Sequence, residues 1–396
     1  MKIVMKFGGT SLADASAIKN ATSIVEQFHK GNQIAVVASA MDDTTDHLIK
    51  LGELAQKGQI WEAKNLLSRI QAGHLIAAKS FAGNKTNLAS KEMLGKVNAL
   101  LSSLERSVEG IGQLRELTLR SRDYLLSFGE RLSVPILTSA LAQKGLKAQA
   151  FTGADAGIVT DNNFGEAKPL AEVSTHQIQQ RLGPLLEAGG LPVVTGFIAQ
   201  NLDGNITTLG RGGSDYTASL IGAALKADEV WIWTDVDGLM TADPRVVKDA
   251  VTLSNVSFGE ALELSYFGAK MMHPRALQPA AKQKIPVRIR NSSKPTLEGT
   301  LVSIDERTDN GKVAKAISII KDVGIITVAG ASMMGAPGVA AKIFQTLGAN
   351  GVNVVMISQG SSEATISCVI ARKDIDRAVR SLQLSLMGQG QVEKVT

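Results

Sequence analysis

At 396 residues the chain exceeds the length at which one hydrophobic core usually stops growing, so at least two folded units are expected. With 44% apolar and 20% charged residues it matches ordinary soluble proteins, which excludes wholesale disorder and a fibrous class. The formal charge is only +5, and the Lys and Arg residues are dispersed among Asp and Glu, which speaks against a nucleic-acid surface and suits small anionic ligands.

A single cysteine, Cys368, rules out an intramolecular disulfide or a thiolate zinc cluster, and its alternating surroundings predict a buried strand thiol. The opening Met1-Lys2-Ile3-Val4-Met5-Lys6 is too short for a secretory signal and no uncharged run approaches membrane-spanning length, so a cytoplasmic protein is expected.

Strand-like apolar runs at 3–7, 34–38, 191–195, 230–234 and 287–290 alternate with amphipathic stretches, an order that predicts an α/β fold with a mainly parallel sheet between helices. Residues 44–144 are almost wholly helical in period and are expected to form a helical excursion beside the sheet. The first strand runs into Lys6-Phe7-Gly8-Gly9-Thr10-Ser11. Adjacent glycines let backbone N–H groups close on phosphate oxygens, the following helix start adds a favourable dipole, and Lys6 can neutralise a transferring phosphoryl group. A ligand-free tight turn is the plain alternative, and the pattern Gly-x4-Gly-Lys-Ser/Thr of a P-loop does not occur.

A second glycine-rich turn, Gly210-Arg211-Gly212-Gly213-Ser214-Asp215-Tyr216-Thr217-Ala218, leads into a helix that Ser214 or Asp215 can cap. Arg211 there offers a planar fork to a carboxylate. Next, the apolar strand Trp231-Ile232-Trp233 ends in Thr234-Asp235-Val236-Asp237-Gly238, at the carboxyl end where ligands gather in open α/β sheets, and Thr241-Ala242-Asp243-Pro244-Arg245 follows. Asp-x-Asp-Gly lacks the later positions of a calcium loop. In Tyr266-Phe267-Gly268-Ala269-Lys270-Met271-Met272-His273-Pro274, Lys270 sits in an apolar stretch near a helix start and reads as a second phosphate-neutralising cation, with His273 structural.

Beyond residue 291 the texture turns polar, and a boundary near residue 300 separates expected domains 1–299 and 300–396. The second is expected to open with two strands over 316–329 around a turn at 322–324. Strands at 352–358 and 365–371 and helices ending near 349 and starting near 374 then give a ferredoxin-like βαββα order.

Taken together, these segments resemble the aspartate kinase (aspartokinase) family of the amino-acid kinase, carbamate kinase-like fold. Val4-Met5-Lys6-Phe7-Gly8-Gly9-Thr10-Ser11-Leu12 is similar to that family's N-terminal signature. So are Ser39-Ala40-Met41, Phe128-Gly129-Glu130-Arg131-Leu132-Ser133, Gly196-Phe197-Ile198, Arg211-Gly212-Gly213-Ser214-Asp215, Thr234-Asp235-Val236, Asp243-Pro244-Arg245 and Phe267-Gly268-Ala269-Lys270. The resemblance implies that ATP, carrying Mg2+, donates its γ-phosphoryl to the β-carboxylate of L-aspartate, giving 4-phospho-L-aspartate on the way to lysine, threonine and methionine. It implies catalytic roles for Lys6, Asp215 and Lys270, and nucleotide contacts from Lys6, Phe7, Gly8, Gly9, Thr234, Asp235, Met240, Asp243, Arg245 and Lys270. Arg211 would grip the substrate α-carboxylate and Glu130 its amino group, with Ser39, Thr45, Phe197, Gly212, Gly213 and Ser214 around them, and no metal site of the protein's own is implied. Asp42 departs from the family pattern, where glycine is usual, and Met240 stands where a tyrosine often flanks the nucleotide.

The C-terminal region resembles an ACT domain, on 330–340 and 350–363. Such modules bind amino acids between copies, which implies effector contacts from Met334, Gly335, Ala336, Asn353 and Gln359, with lysine or threonine as effector and a homodimer or higher homo-oligomer as the unit. The family carries the module twice. One copy is recognisable, the second is expected to be absent or truncated, and 391–396 falls about where another strand of it should begin. Two rival readings stay open: a relative phosphorylating another acceptor, and a non-catalytic amino-acid sensor.

Overall fold

The computed structural model describes residues 1–82, 88–266, 273–304, 314–387 and 392–396. They form two compact units, Met1–Ser318 and Ile319–Thr396.

The first unit opens with β1 (Lys2–Phe7), α1 (Ala15–His29) and β2 (Gln33–Ala38). The helical excursion follows as α2 (Thr44–Gln56), α3 (Ile60–Ser80), α4 (Leu88–Leu114), α5 (Leu119–Leu126) and α6 (Phe128–Gln143). Next come β3 (Ala148–Phe151), α7 (Gly153–Ala156), β4 (Val159–Thr160), α8 (Ala171–Glu187), β5 (Leu191–Thr195), β6 (Ile198–Asn201) and β7 (Ile206–Thr208). The unit closes with α9 (Gly213–Leu225), β8 (Glu229–Thr234), β9 (Asn255–Ser257), α10 (Phe258–Tyr266), α11 (Pro274–Lys282), β10 (Val287–Asn291) and β11 (Thr300–Ser303).

An eight-stranded sheet runs β3-β5-β2-β1-β8-β10-β11-β9, parallel except where β11 meets β10. Helices cover both faces, so its inner strands are apolar at successive positions, which is why the five expected runs appear as strands. Register aligns the strand ends: Lys6 pairs with Val37 and Ile232, and Phe7 with Ala38 and Trp233. The carboxyl ends of β2, β1 and β8 therefore lie side by side.

Near the end of β10, the Arg290 guanidinium lies 4.7 to 5.0 Å from the ring centres of Trp231, Trp233 and Phe28 and donates to the carbonyls of Pro295 and Leu297. Burial lowers its pKa, and π faces and carbonyls take the place of a carboxylate partner.

The division falls after Ser318, later than the boundary expected near residue 300, and Thr300–Ser303 is a strand of the large sheet, paired with Val287, Arg288 and Ile289. Nor do residues 316–321 form a strand. Ile317 N instead donates to the Thr241 carbonyl, and Lys315 pairs with Glu260, tying this stretch to the first unit.

The second unit comprises β12 (Val323–Ala329), α12 (Val339–Ala349), β13 (Val354–Gln359), β14 (Thr365–Ala371), α13 (Ile375–Leu386) and β15 (Lys394–Val395). Its antiparallel sheet runs β13-β14-β12-β15, and Ile343, Leu347, Leu382 and Leu386 of the helices join its core. Residues 394–395, expected near the start of another copy, instead pair with Val328 and Ala329 in this same sheet. Cys368 is buried on β14, and burial pushes its thiol pKa up, so it stays protonated as the alternation predicts. No described helix is long and apolar enough to cross a membrane.

On the apolar stripe of α3, His74 is 2% exposed; its Nδ1 lies 2.7 Å from the Ile70 carbonyl and its Nε2 has no partner. Burial lowers its pKa, outweighing that hydrogen bond. A base held below its unfolded pKa makes the folded state bind fewer protons, so stability is full above the unfolded value and lost as pH falls below it, by about 1.4 kcal/mol per pH unit. We expect His74→Leu to flatten the fall in urea midpoint between pH 7 and pH 5; an unchanged slope would contradict this.

Candidate active site

A cavity of about 820 Å3 opens where β1 and β2 end and α9 begins, with α5 as one wall. All eight expected substrate residues line it: Ser39, Thr45, Glu130, Phe197, Arg211, Gly212, Gly213 and Ser214. Lys6, Gly9 and Asp215 join them, while Lys270 lies outside the described residues.

Lys6 Nζ stands 2.6 Å from Asp215 Oδ1, joining the end of β1 to the first turn of α9, both side chains about 10% exposed. The turn after Lys6 is built for close approach: a Cβ at Gly9 would lie 2.8 Å from the Asp42 carbonyl oxygen. Gly212, the N-cap of α9, has φ +72°, and a Cβ there would meet His273 Cβ at 2.6 Å. Glycine is thus required at both, and Gly213, Ser214 and Asp215 of the first turn of α9 line the cavity that holds Lys6. His273 itself caps α11, accepting from Arg275 N, the structural role expected.

Opposite, Glu130 is 3% exposed on α6. Its Oε1 accepts from Ala40 N at 3.2 Å, its Oε2 has no partner, and Ser133 Oγ donates to the Ser39 carbonyl at 2.8 Å, pinning α6 to the end of β2. Burial pushes the Glu130 pKa up from 4.5 to about 8, against the pull of its backbone hydrogen bonds and the Lys6 charge. Arg211 is exposed at the mouth. A cavity with a guanidinium fork and a buried carboxylate oxygen, both without a hydrogen-bond partner among the described residues, suits a ligand bearing both a carboxylate and an ammonium group.

The expected nucleotide residues divide. Phe7 is fully buried, its ring stacked 6.0 Å from that of Trp233, so its main chain alone faces a ligand. Gly8 N donates to the Trp233 carbonyl, and Ser11 Oγ donates to Ser292 Oγ, whose hydroxyl bonds the Thr234 carbonyl. Thr234, Asp235, Met240, Asp243 and Arg245 do not line the cavity; Thr234 ends β8, whose tip lies beside the glycine turn because β8 pairs with β1, and the other four follow it along the chain. Arg245 is held by a two-pronged fork to Asp243, at 2.9 Å each, and Met240 bridges to Thr252.

Sequence reasoning missed the wall made by α5. Leu119, Arg122, Asp123 and Leu126 all line the cavity, at the i, i+3, i+4, i+7 spacing of one helix face. Asp123 is fully buried, accepting from Gly165 N, Thr208 N and Thr208 Oγ1 at 2.8 to 2.9 Å, and burial raises its pKa against those bonds. It fastens α5 to β7 and thereby aims Arg122, which has no hydrogen bond or ion pair from its guanidinium among the described residues, into the cavity. Asp42, noted as a departure, has φ +45°, the backbone that favours glycine.

The second unit does not gather the expected effector residues. Met334 and Gly335 sit in the turn before α12, Asn353 and Gln359 flank opposite ends of β13, and Ala336 packs on the core. A hollow of about 550 Å3 between α12 and α13 includes none of them.

Comparison with known proteins follows this division. A model described as the amino acid kinase family matches residues 1–291, and one described as an ACT domain matches residues 326–386. The chain is 35% identical over 371 residues to aspartokinase 1, chloroplastic, of Arabidopsis thaliana, covering 93% of this chain and 63% of that protein; it thus spans less than two thirds of that relative's length. To lysine-sensitive aspartokinase 3 of Escherichia coli (strain K12) it is 34% identical over 377 residues, covering 93% of this chain and 78% of that protein. The crystal structure of E. coli aspartokinase III in complex with aspartate and ADP (R-state) matches with a TM-score of 0.81 at 31% identity, over 100% of this chain and 85% of that one.

Glu130 carries a stability cost with a defined sign. Its folded pKa of about 8 lies above the unfolded value near 4.5, so the cost is absent below pH 4.5 and grows as pH rises to 8. Glu130→Gln should raise the urea midpoint of the ligand-free protein at pH 8 and leave it unchanged at pH 4.5; equal gains at both would refute the burial penalty.

Proposed function

The chain belongs to the amino acid kinase family and, within it, to the aspartokinases, and we propose on that footing that it transfers the γ-phosphoryl group of ATP to the β-carboxylate of L-aspartate. The observation that carries this reading is the cavity where a buried, unpartnered Glu130 oxygen and the Arg211 fork face the Lys6–Asp215 pair. An amino acid seated between Arg211 and Glu130 would share the cavity with Lys6 and could present its remaining functional group to it. For that group to be a carboxylate is what aspartate supplies.

Phosphoryl transfer asks for positioning and charge stabilisation, with no protein nucleophile. A β-carboxylate oxygen attacks the γ-phosphorus, the bond to the β–γ bridging oxygen breaks, and ADP leaves with that electron pair. Lys6 neutralises the moving group, Asp215 orients Lys6, and the amides of α9 add fixed dipoles. Arg122 would hold the β-carboxylate in line, with Ser39, Thr45, Phe197 and the Gly212-Gly213-Ser214 turn shaping the rest. ATP would rest on the main chain of Phe7, Gly8 and Gly9 and on Thr234, Asp235, Met240, Asp243 and Arg245, with Lys270 as second cation. Magnesium would travel with the nucleotide, since Mg2+ in such sites needs only one or two carboxylates besides phosphate.

The second unit would sense an amino acid, lysine or threonine, between paired copies in a homodimer or larger homo-oligomer. In support, β13 is an edge strand exposing Met356 and Ile357, and the E. coli relative is named lysine-sensitive. The setting would be the cytoplasmic route from aspartate to lysine, threonine and methionine.

Lys6→Met should lower kcat about a hundredfold or more, while Arg211→Ala should chiefly raise the KM for aspartate, by about tenfold or more. Phosphoaspartate trapped as its hydroxamate reads the product, and near-normal turnover in Lys6→Met would defeat the assignment. Because Glu130 must lose its proton to meet an ammonium group, aspartate affinity should fall as pH drops through about 8, and calorimetry on Glu130→Gln should show that dependence gone.

A further inference from the structure

A second cavity, of about 450 Å3, shares no lining residue with the first. It lies between α4, α6 and the carboxyl ends of β3 and β5, the side of an α/β sheet where ligands collect, and its size falls in the range of roughly 300–1,000 Å3 usual for small-molecule sites. Leu100, Val134, Pro135 and Phe151 make its walls apolar.

Into these walls is set Arg131. Its guanidinium lies 4.8 Å from the Phe128 ring centre and 5.6 Å from that of Tyr124, and Nη1 donates to Ser127 Oγ at 3.3 Å. No carboxylate pairs with it among the described residues. Such a fork is preorganised by aromatic faces and keeps most of its donors for an incoming acceptor. Of the charged residues lining the cavity, Lys96 and Arg131 are cationic and Asp155 is anionic, leaving one positive charge. Asp155 is already engaged, its Oδ2 accepting from Thr152 N and Oγ1 in the capping box of α7. The Ser103 hydroxyl, 3.4 Å from Tyr124 Oη, supplies a further polar contact.

We propose that this cavity is a second small-molecule site, taking a monocarboxylate with a compact apolar body: the carboxylate sits in the Arg131 fork with Lys96 at the rim, and the apolar part lies against Leu100, Val134, Pro135 and Phe151. The proposal does not depend on how the first cavity is read. The site nonetheless adjoins the first along the chain, since Arg131 follows Glu130, and Thr195 on its wall stands two residues before Phe197.

Titration calorimetry on the full chain with 3-phenylpropanoate, and with its neutral amide as control, tests this. The acid should bind, and the amide should bind about tenfold more weakly or less well still, as loss of a charge-assisted pair requires. Arg131→Gln should weaken the acid by about tenfold, Lys96→Gln severalfold, and Val134→Trp should abolish binding by filling the space. Arg211→Ala, in the other cavity, should leave it unchanged. Lys96 is exposed on α4, so its variant reads the charge even if Arg131→Gln unsettles α6. Absence of heat into the millimolar range, equal binding of acid and amide, indifference to Lys96→Gln and Val134→Trp, or a loss in Arg211→Ala would each overturn the proposal.

Discussion

The contact at 2.6 Å between Lys6 and Asp215 is the constraint on which the rest of the first unit turns. It joins a strand tip to a helix start from distant parts of the chain, and both charges are largely withdrawn from water. A pair so placed adds little net stability, since the cost of desolvation offsets much of the attraction, but removal of either partner leaves a stranded charge. What it contributes is location. The ammonium group is fixed beside the N-terminus of α9, the positive end of that helix's dipole, so an anion entering the cavity meets a field already assembled.

Around that pair the backbone accepts conformations that side chains resist. Asp42 and Phe197 both have positive φ, at +45° and +65°, and both line the cavity. For a bulky residue such as Phe197 this costs on the order of 1–3 kcal/mol, sustained by packing elsewhere. The bends bring the ends of β2 and β5 inward. Asp42 also sets a carboxylate beside a site meant for anions, where glycine would relieve both the strain and the charge.

Much of this was legible in the sequence where the cause is local. The inner strands declare themselves because burial on two faces demands unbroken apolar runs, and the glycine turns declare themselves because a Cβ at Gly9 or Gly212 would collide. The short strands β4, β6, β7, β9 and β11 are two to four residues long and owe their existence to partners far along the chain, so no local period marks them. The pairing of β11 with β10 in the large sheet is likewise not marked by any local period. Arg122 escaped notice for a related reason: the side of α5 that turns inward is decided by Asp123 reaching β7, a contact invisible in the helix's own pattern. Conversely, residues 316–321 have a strand's composition but form none, Ile317 N donating instead to the Thr241 carbonyl.

The caged guanidinium of Arg290 has a bearing on how the molecule comes into being. It seats the end of β10, whose next residues, Asn291 and Ser292, reach Asp237, Thr234 and Ser11. The turn encoded in the first dozen codons therefore gains its buttress only after nearly three hundred residues have been synthesised. A nascent chain on the ribosome carries Gly8 and Gly9 from the outset but cannot complete their support until this arginine has emerged and found its three rings, so the fold withholds the finished turn from unfinished chains.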